Sequence, residues 1–256
     1  MKTLSIVIPV FNEKERIHRA FEAVLQLRLP RVLNLESVIF INDGSSDNTL
    51  SLLKNFKKNS SLPIEVISYK KNKGKGYAVK QGMLKVQSDY ALLCDADMST
   101  PFSQLFKFVK FIENAQDIII GTRKNGKSTV IVHQPKFREI LGKSFTQITR
   151  IALQINATDF TCGFKLFSKK AVDTIFTKTK INRWGYDAEI LFIAKKENFK
   201  INECAVLWAD VKKSHVNVVK AIFETLYELV QIHWFHSNLS IYAFSARIAK
   251  STISLF

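Results

Sequence analysis

The chain has 256 residues, 46% of them hydrophobic, with 38 basic side chains against 22 acidic ones and a formal charge of +16. That is enough apolar material for one large α/β domain, with or without an appendage. The charge admits nucleic acid, an anionic bilayer or phosphate-bearing small molecules as partners, and no aromatic-bearing RNA-binding pair is visible, which argues against nucleic acid.

The three cysteines, Cys94, Cys162 and Cys204, are widely separated, with no CxxC and no zinc spacing to the five histidines. A reducing, intracellular setting is expected. A strand pattern begins at Leu4, which predicts no signal peptide.

Leu4 to Val10 reads as a buried first strand. A helical run to about Gln26 follows, with Ile17, Phe21, Val24 and Leu25 on one face. Glu36–Asn42 is a second strand ending in Asp43-Gly44-Ser45-Ser46-Asp47, and a helix carries Leu50, Leu53 and Phe56. Ile64–Ser68 is a third strand. A basic loop, Lys70 to Gly76, leads into a helix from Tyr77 to Val86. A fourth strand begins at Tyr90 and ends at Asp95, and Asp117–Gly121 is a fifth. Strands alternating with helices at this spacing are βαβ units and give a mostly parallel sheet. No GxGxxG follows the first strand, which argues against an NAD or FAD enzyme.

After the fifth strand the alternation breaks. Lys136–Ile155 predicts a helix with Phe137, Leu141, Phe145, Ile148 and Ile151 inward, and Asp159–Phe167 looks extended. Arg183 to Glu189 leads into a helix ending near Asn198, Ile201–Trp208 reads as a last strand, and Val216–Phe235 as a helix. Lys220, Glu224, Glu228 and Gln231 interrupt that helix, so it offers no membrane span. Residues 237–256 show no clear pattern.

Asp95 and Asp97 fall where a core strand would end, at the rim where open α/β sheets bind ligands. A carboxylate pair there suits a divalent cation shared with substrate phosphates, although turn and cap roles fit equally well from the pair alone. Gly74, Lys75 and Gly76 before a helix would let backbone amides approach an anion.

Taken together, Val7-Ile8-Pro9-Val10-Phe11-Asn12-Glu13, Asn42 to Asp47, Asn72 to Gly76, Asp95-Ala96-Asp97, Gly121-Thr122-Arg123, Asp159 to Lys165 and Arg183 to Asp187 resemble the GT-A glycosyltransferases of family 2. Within them the chain is most similar to the polyprenyl-phosphate sugar transferases, the dolichyl-phosphate glucosyl- and mannosyltransferase group. The resemblance covers about residues 3–215 and implies a GT-A catalytic domain over residues 1–215, a Rossmann-like mostly parallel sheet with flanking helices. Residues 216–256 would form a helical extension, its amphipathic helix with Tyr227, Trp234 and Phe235 either at a membrane surface or packed on the sheet.

By the same resemblance, Pro9, Phe11 and Glu13 hold the base and ribose of a nucleotide, though Glu13 also suits a first helical turn. Asp43 accepts a hydrogen bond from the base, and Gly74, Lys75, Asp95, Ala96 and Asp97 meet the nucleotide, with Mg2+ or Mn2+ on Asp95 and Asp97, the latter favoured as direct ligand. Ser99 stands where relatives often carry Gln. Arg123 and Arg138 would bind an acceptor phosphate. Asp187 and Glu189 are general-base candidates, needed only if the acceptor is a hydroxyl. Lys212 or Lys213 would fold over the diphosphate, since His215 is mostly neutral at pH 7.

The reaction that the resemblance implies is inverting transfer of a hexose, UDP-glucose favoured over GDP-mannose, to a polyprenyl phosphate at the cytoplasmic face of a membrane. Two alternatives stay open: a hydroxyl-acceptor glycosyltransferase with Asp187 as base, and a non-catalytic binding protein of the same fold.

Overall fold

The computed structural model describes residues 1–124, 128–132, 136–209 and 218–236, and of these only the backbone at 130, 132, 136–141, 143, 145 and 218–223. The first half runs β1 (Lys2–Val10), α1 (Ile17–Leu25), β2 (Leu33–Asn42), α2 (Thr49–Asn59), β3 (Ile64–Ser68), α3 (Lys75–Met83), β4 (Tyr90–Leu93), a 3-10 segment (Phe102–Phe108), α4 (Val109–Glu113) and β5 (Ile118–Thr122). The second half adds β6 (Thr129–Val132), α5 (Lys136–Leu153), β7 (Lys165–Ser168), α6 (Lys169–Phe176), α7 (Tyr186–Lys196), β8 (Ile201–Ala205), β9 (Leu207–Ala209) and α8 (Val218–His236).

Among the described residues seven strands form one sheet in the order β3-β2-β1-β4-β7-β5-β8. All neighbours are parallel except β7, which runs antiparallel between β4 and β5. A separate parallel ribbon joins β6 to β9. The near-continuous apolar run of β1 is what a central strand covered on both faces requires. Its side chains alternate between two cores: Ile6, Ile8 and Val10 meet Phe40 and the α1 side, and Val7 meets Ile41 and the α3 side. Phe21 of α1 stacks on Phe56 of α2 at 4.1 Å, and both rings meet Phe40 edge-on, which ties the two helices to β2.

Several boundaries differ from expectation. β4 stops at Leu93, so Asp95 and Asp97 lie in the turn beyond it, where Met98 N donates to Asp95 O. Of Asp159–Phe167 only the end is strand. The last strand divides at Val206, because the chain leaves the sheet to pair with β6, and Ala209 N then donates to Ser99 O. Leu25 and Ile148 face solvent. On α5 the inward side carries Thr146, Thr149, Ala152 and Leu153, small residues for the most part, where the helix abuts α7 and α8.

α8 packs into the same core as the sheet through Leu229 and Ile232 while leaving Tyr227, Trp234 and Phe235 exposed. Among the described residues no helix is long and apolar enough to cross a membrane. All three cysteines are free and buried.

Candidate active site

The sheet's order reverses between β1 and β4, and ligand crevices of open α/β sheets form beyond the carboxyl ends of the strands at such a point. Three loops meet there. After β1, Pro9 is buried in the strand while Phe11 is 44% exposed in the turn. Asn12 clasps the loop after β2: its N–H donates to Ser45 Oγ, and its Oδ1 accepts from Ser46 N. The Glu13 carboxylate is forked by Arg16 at 2.7 and 2.8 Å, and its amide donates to Thr49 Oγ1.

Asp43, at the end of β2 and 3% exposed, organises the glycine loop. Its Oδ1 accepts Lys73 N at 2.8 Å, and its Oδ2 accepts Gly74 N at 2.9 Å and Asn72 Nδ2 at 2.8 Å. One oxygen with a single described donor can still take a further N–H from a base. Gly74 sits at φ 103°, a conformation side chains avoid, and a Cβ there would lie 2.4 Å from Asn182 O. The loop thus delivers Lys75 at the N-terminus of α3, where its Nζ pairs with Asp95 Oδ1 at 2.6 Å. Burial alone would push the Asp95 carboxyl up; Lys75 overrides it and holds the group below its ordinary value.

Ala96 is buried between the two acids. Met98 adopts a left-handed conformation, φ 54°, which turns Ser99 back so that its amide (2.9 Å) and hydroxyl (2.7 Å) both donate to Asp97 Oδ1. Asp97 Oδ2 has no partner among the described residues. The donors offered are hard oxygens, and the described residues contain no cluster of three metal-binding side chains. One or two carboxylates completed by phosphate and water is the pattern of Mg2+ or Mn2+ shared with a substrate. Asp97 fits the role of direct ligand, since Asp95 already carries a cation.

Two buried ion pairs flank the carboxylates. Lys165, fully buried on β7, donates to Asp187 Oδ1 at 2.5 Å and to Cys162 O at 2.7 Å. Burial raises the Asp187 carboxyl, opposed by Lys165. Glu189 is consumed otherwise, accepting Lys180 N, Ile181 N and His236 Nε2. Arg123, after β5, is forked onto the fully buried Asp159 through Nε (2.7 Å) and Nη2 (2.8 Å), with Trp208 stacked at 5.2 Å. The side chain of Arg138, and Lys212, Lys213 and His215, lie outside the described residues.

Against the cost of burial, Arg123 holds the Asp159 carboxyl far below the usual range. A depressed folded value contributes stability that is present above about pH 4 and lost as pH falls through the carboxylate range. Asp159→Asn is expected to cost about 3–5 kcal/mol, because Arg123 is left buried without its partner. The acid limb of a Tm-against-pH curve should then be shallower than in the wild type, which checks both statements.

Lys165, Gly163 and Tyr186 are site residues to which the sequence assigned no role. A lysine inside Phe164-Lys165-Leu166-Phe167 was the available signal, a charge in an otherwise apolar strand. The close approach of Gly163 to Asp95 left no trace in the pattern.

Fold and site together define a GT-A glycosyltransferase: a switch-point crevice, a glycine loop held by Asp43 at the start of α3 and an acidic turn beside it. The family model described as glycosyl transferase family 2 matches residues 5–176, and the chain belongs to that family. It is 30% identical over 246 residues to a dolichyl-phosphate beta-glucosyltransferase of Dictyostelium discoideum, covering 90% of this chain and 74% of the relative. The human protein of the same description is 31% identical, covering 83% and 69%. A solved structure of Mycobacterium tuberculosis glucosyl-3-phosphoglycerate synthase with Mn2+, UDP and glucosyl-3-phosphoglycerate shares the fold, with a TM-score of 0.67, 13% identity and coverage of 90% of this chain and 80% of that one.

Proposed function

We propose that this glycosyltransferase moves glucose from UDP-glucose to a polyprenyl phosphate with inversion, using Mg2+ or Mn2+, while docked on the cytoplasmic face of a membrane. The observation that carries the reading is the acidic turn: Asp97 presents an oxygen without a partner among the described residues, beside an Asp95 neutralised by Lys75. The relatives named for dolichyl-phosphate glucosylation support the acceptor class.

An acceptor phosphate oxygen attacks the anomeric carbon as the bond from that carbon to the diphosphate breaks, and the electron pair leaves with UDP. A phosphate monoester is already anionic, so no base is needed, and Asp187 on Lys165 is free to position the sugar. When bound, the cation neutralises charge on the departing diphosphate. Lys75 and the N-terminus of α3 face the same charge. Asp43 reads the base, with Pro9, Phe11 and Glu13 around the nucleoside. Arg123 keeps its Nη1 hydrogens without a described partner and offers them to the acceptor phosphate, with Arg138 as a further cation there and Lys213 over the diphosphate. Tyr227, Trp234 and Phe235 on α8 and the +16 charge suit an anionic bilayer surface.

Calorimetry should find UDP binding that requires Mn2+ or Mg2+, and a short polyprenyl phosphate should be glucosylated by UDP-glucose. A protein that binds no nucleotide under any metal condition would sink the reading.

A further inference from the structure

Two side-chain hydroxyls are enclosed without a hydrogen-bond partner among the described residues, those of Tyr69 and Tyr186. An orphaned buried hydroxyl destabilises a fold, and phenylalanine would fill the same space without that cost. Tyr69 stands next to Asp43 and belongs with the nucleotide loop. Tyr186 is placed elsewhere. It opens α7, is 2% exposed, and packs so closely on α3 that a Cβ at Gly76 would lie 2.7 Å from its own Cβ.

Its hydroxyl sits in the field of Asp187, Lys75 and Asp95. The Lys75 ammonium, 5.8 Å from the ring centroid, pairs with Asp95 at 2.6 Å, and another of its three hydrogens can point at the phenol oxygen, which leaves the phenol's own hydrogen to be given. The adjacent Asp187 has Oδ1 tied to Lys165, which leaves Oδ2 without a partner among the described residues. Lys165 is anchored in turn by Cys162 O, so the carboxylate is held from behind with one oxygen open. A phenolic donor and a carboxylate acceptor on successive residues match a sugar hydroxyl, which gives one hydrogen bond and takes others.

We infer that the Tyr186 hydroxyl and the open oxygen of Asp187 read a hydroxyl of the transferred hexose, with Lys165 as the positioning residue that presents Asp187. This rests on the nucleotide-sugar reading above and adds to it the residues that recognise the sugar. Sites built to hydrogen-bond a substrate hydroxyl discriminate strongly against analogues lacking it, because their own polar groups are then left unpaired.

The test is Tyr186→Phe, assayed with UDP-glucose and with the series of UDP-deoxyglucoses. With UDP-glucose, kcat/KM should fall about 10- to 100-fold while UDP affinity stays within about twofold and Tm holds or rises. One deoxy donor, poor with the wild type, should suffer no further loss in the variant. Lys165→Met should raise KM for UDP-glucose while leaving UDP affinity in place, and Lys165→Arg should restore part of the loss. Equal losses on every donor, no loss at all, a parallel loss of UDP affinity, or a lower Tm would each overturn the inference. A wild type that binds no UDP would remove the donor reading as well. Normal UDP binding with an unaffected Phe variant would remove the sugar subsite alone.

Discussion

Gly163→Ala is expected to reduce kcat/KM by about 100- to 1000-fold with a modest loss of stability. A methyl group at this position would stand 2.0 Å from Asp95 Oδ2 and 2.2 Å from its Cγ. Asp95 has little room to retreat: Lys75 grips Oδ1 from the other side, and its own backbone closes the turn after β4. The carboxylate must swing out of place or the Gly163 backbone must move away from the turn after β4. Displacements of about 1 Å at a reacting centre cost about 100-fold. The overpacking itself costs about 1–3 kcal/mol. Steady-state kinetics beside a thermal melt separate the two effects. Activity within about threefold of the wild type would show that Asp95 tolerates being moved, contrary to the role given it here.

Asp97→Asn should be at least as damaging to turnover and nearly silent in the melt. The amide oxygen can still accept from Ser99, so the turn with its left-handed Met98 survives. What is lost is one formal charge opposite the proposed cation, where removing a single preorganised electrostatic group typically costs about 10²–10³ in kcat. Titrating Mn2+ into the variant should recover part of the rate at concentrations well above those the wild type needs. Asp95→Asn should behave differently, because it leaves the partly buried Lys75 without its partner and so lowers Tm as well as activity.

The first half of the chain was legible because its physics is local. Apolar runs such as Leu4–Val10 specify central strands, and glycines and acids at the strand ends mark the loops. The direction of β7 was not legible, since an antiparallel strand of four residues inserted between β4 and β5 is chosen by its neighbours and not by its own composition. Asp43 was found as a candidate for the base, yet its hydrogen bonds to Asn72, Lys73 and Gly74 depend on a loop 30 residues away along the chain, as the separations of 29 to 31 positions show. Arg123 stood out by type and position; its commitment to Asp159 needed the fold. Tyr186 stood inside the Arg183–Asp187 motif without a role of its own, and what distinguishes it is a hydroxyl enclosed without a hydrogen-bond partner among the described residues.

β7 also bears on how the enzyme comes into being during synthesis. Asp95 emerges from the ribosome well ahead of Gly163 and Lys165, so a growing chain that stops short of them leaves one flank of β4 unpaired. An open strand edge of this kind invites pairing with other chains until its neighbour arrives. Long-range strand pairing is also slower than local helix formation. The acidic turn is therefore finished late, and a nascent fragment holding the whole of β1 to β4 should have no transferase activity.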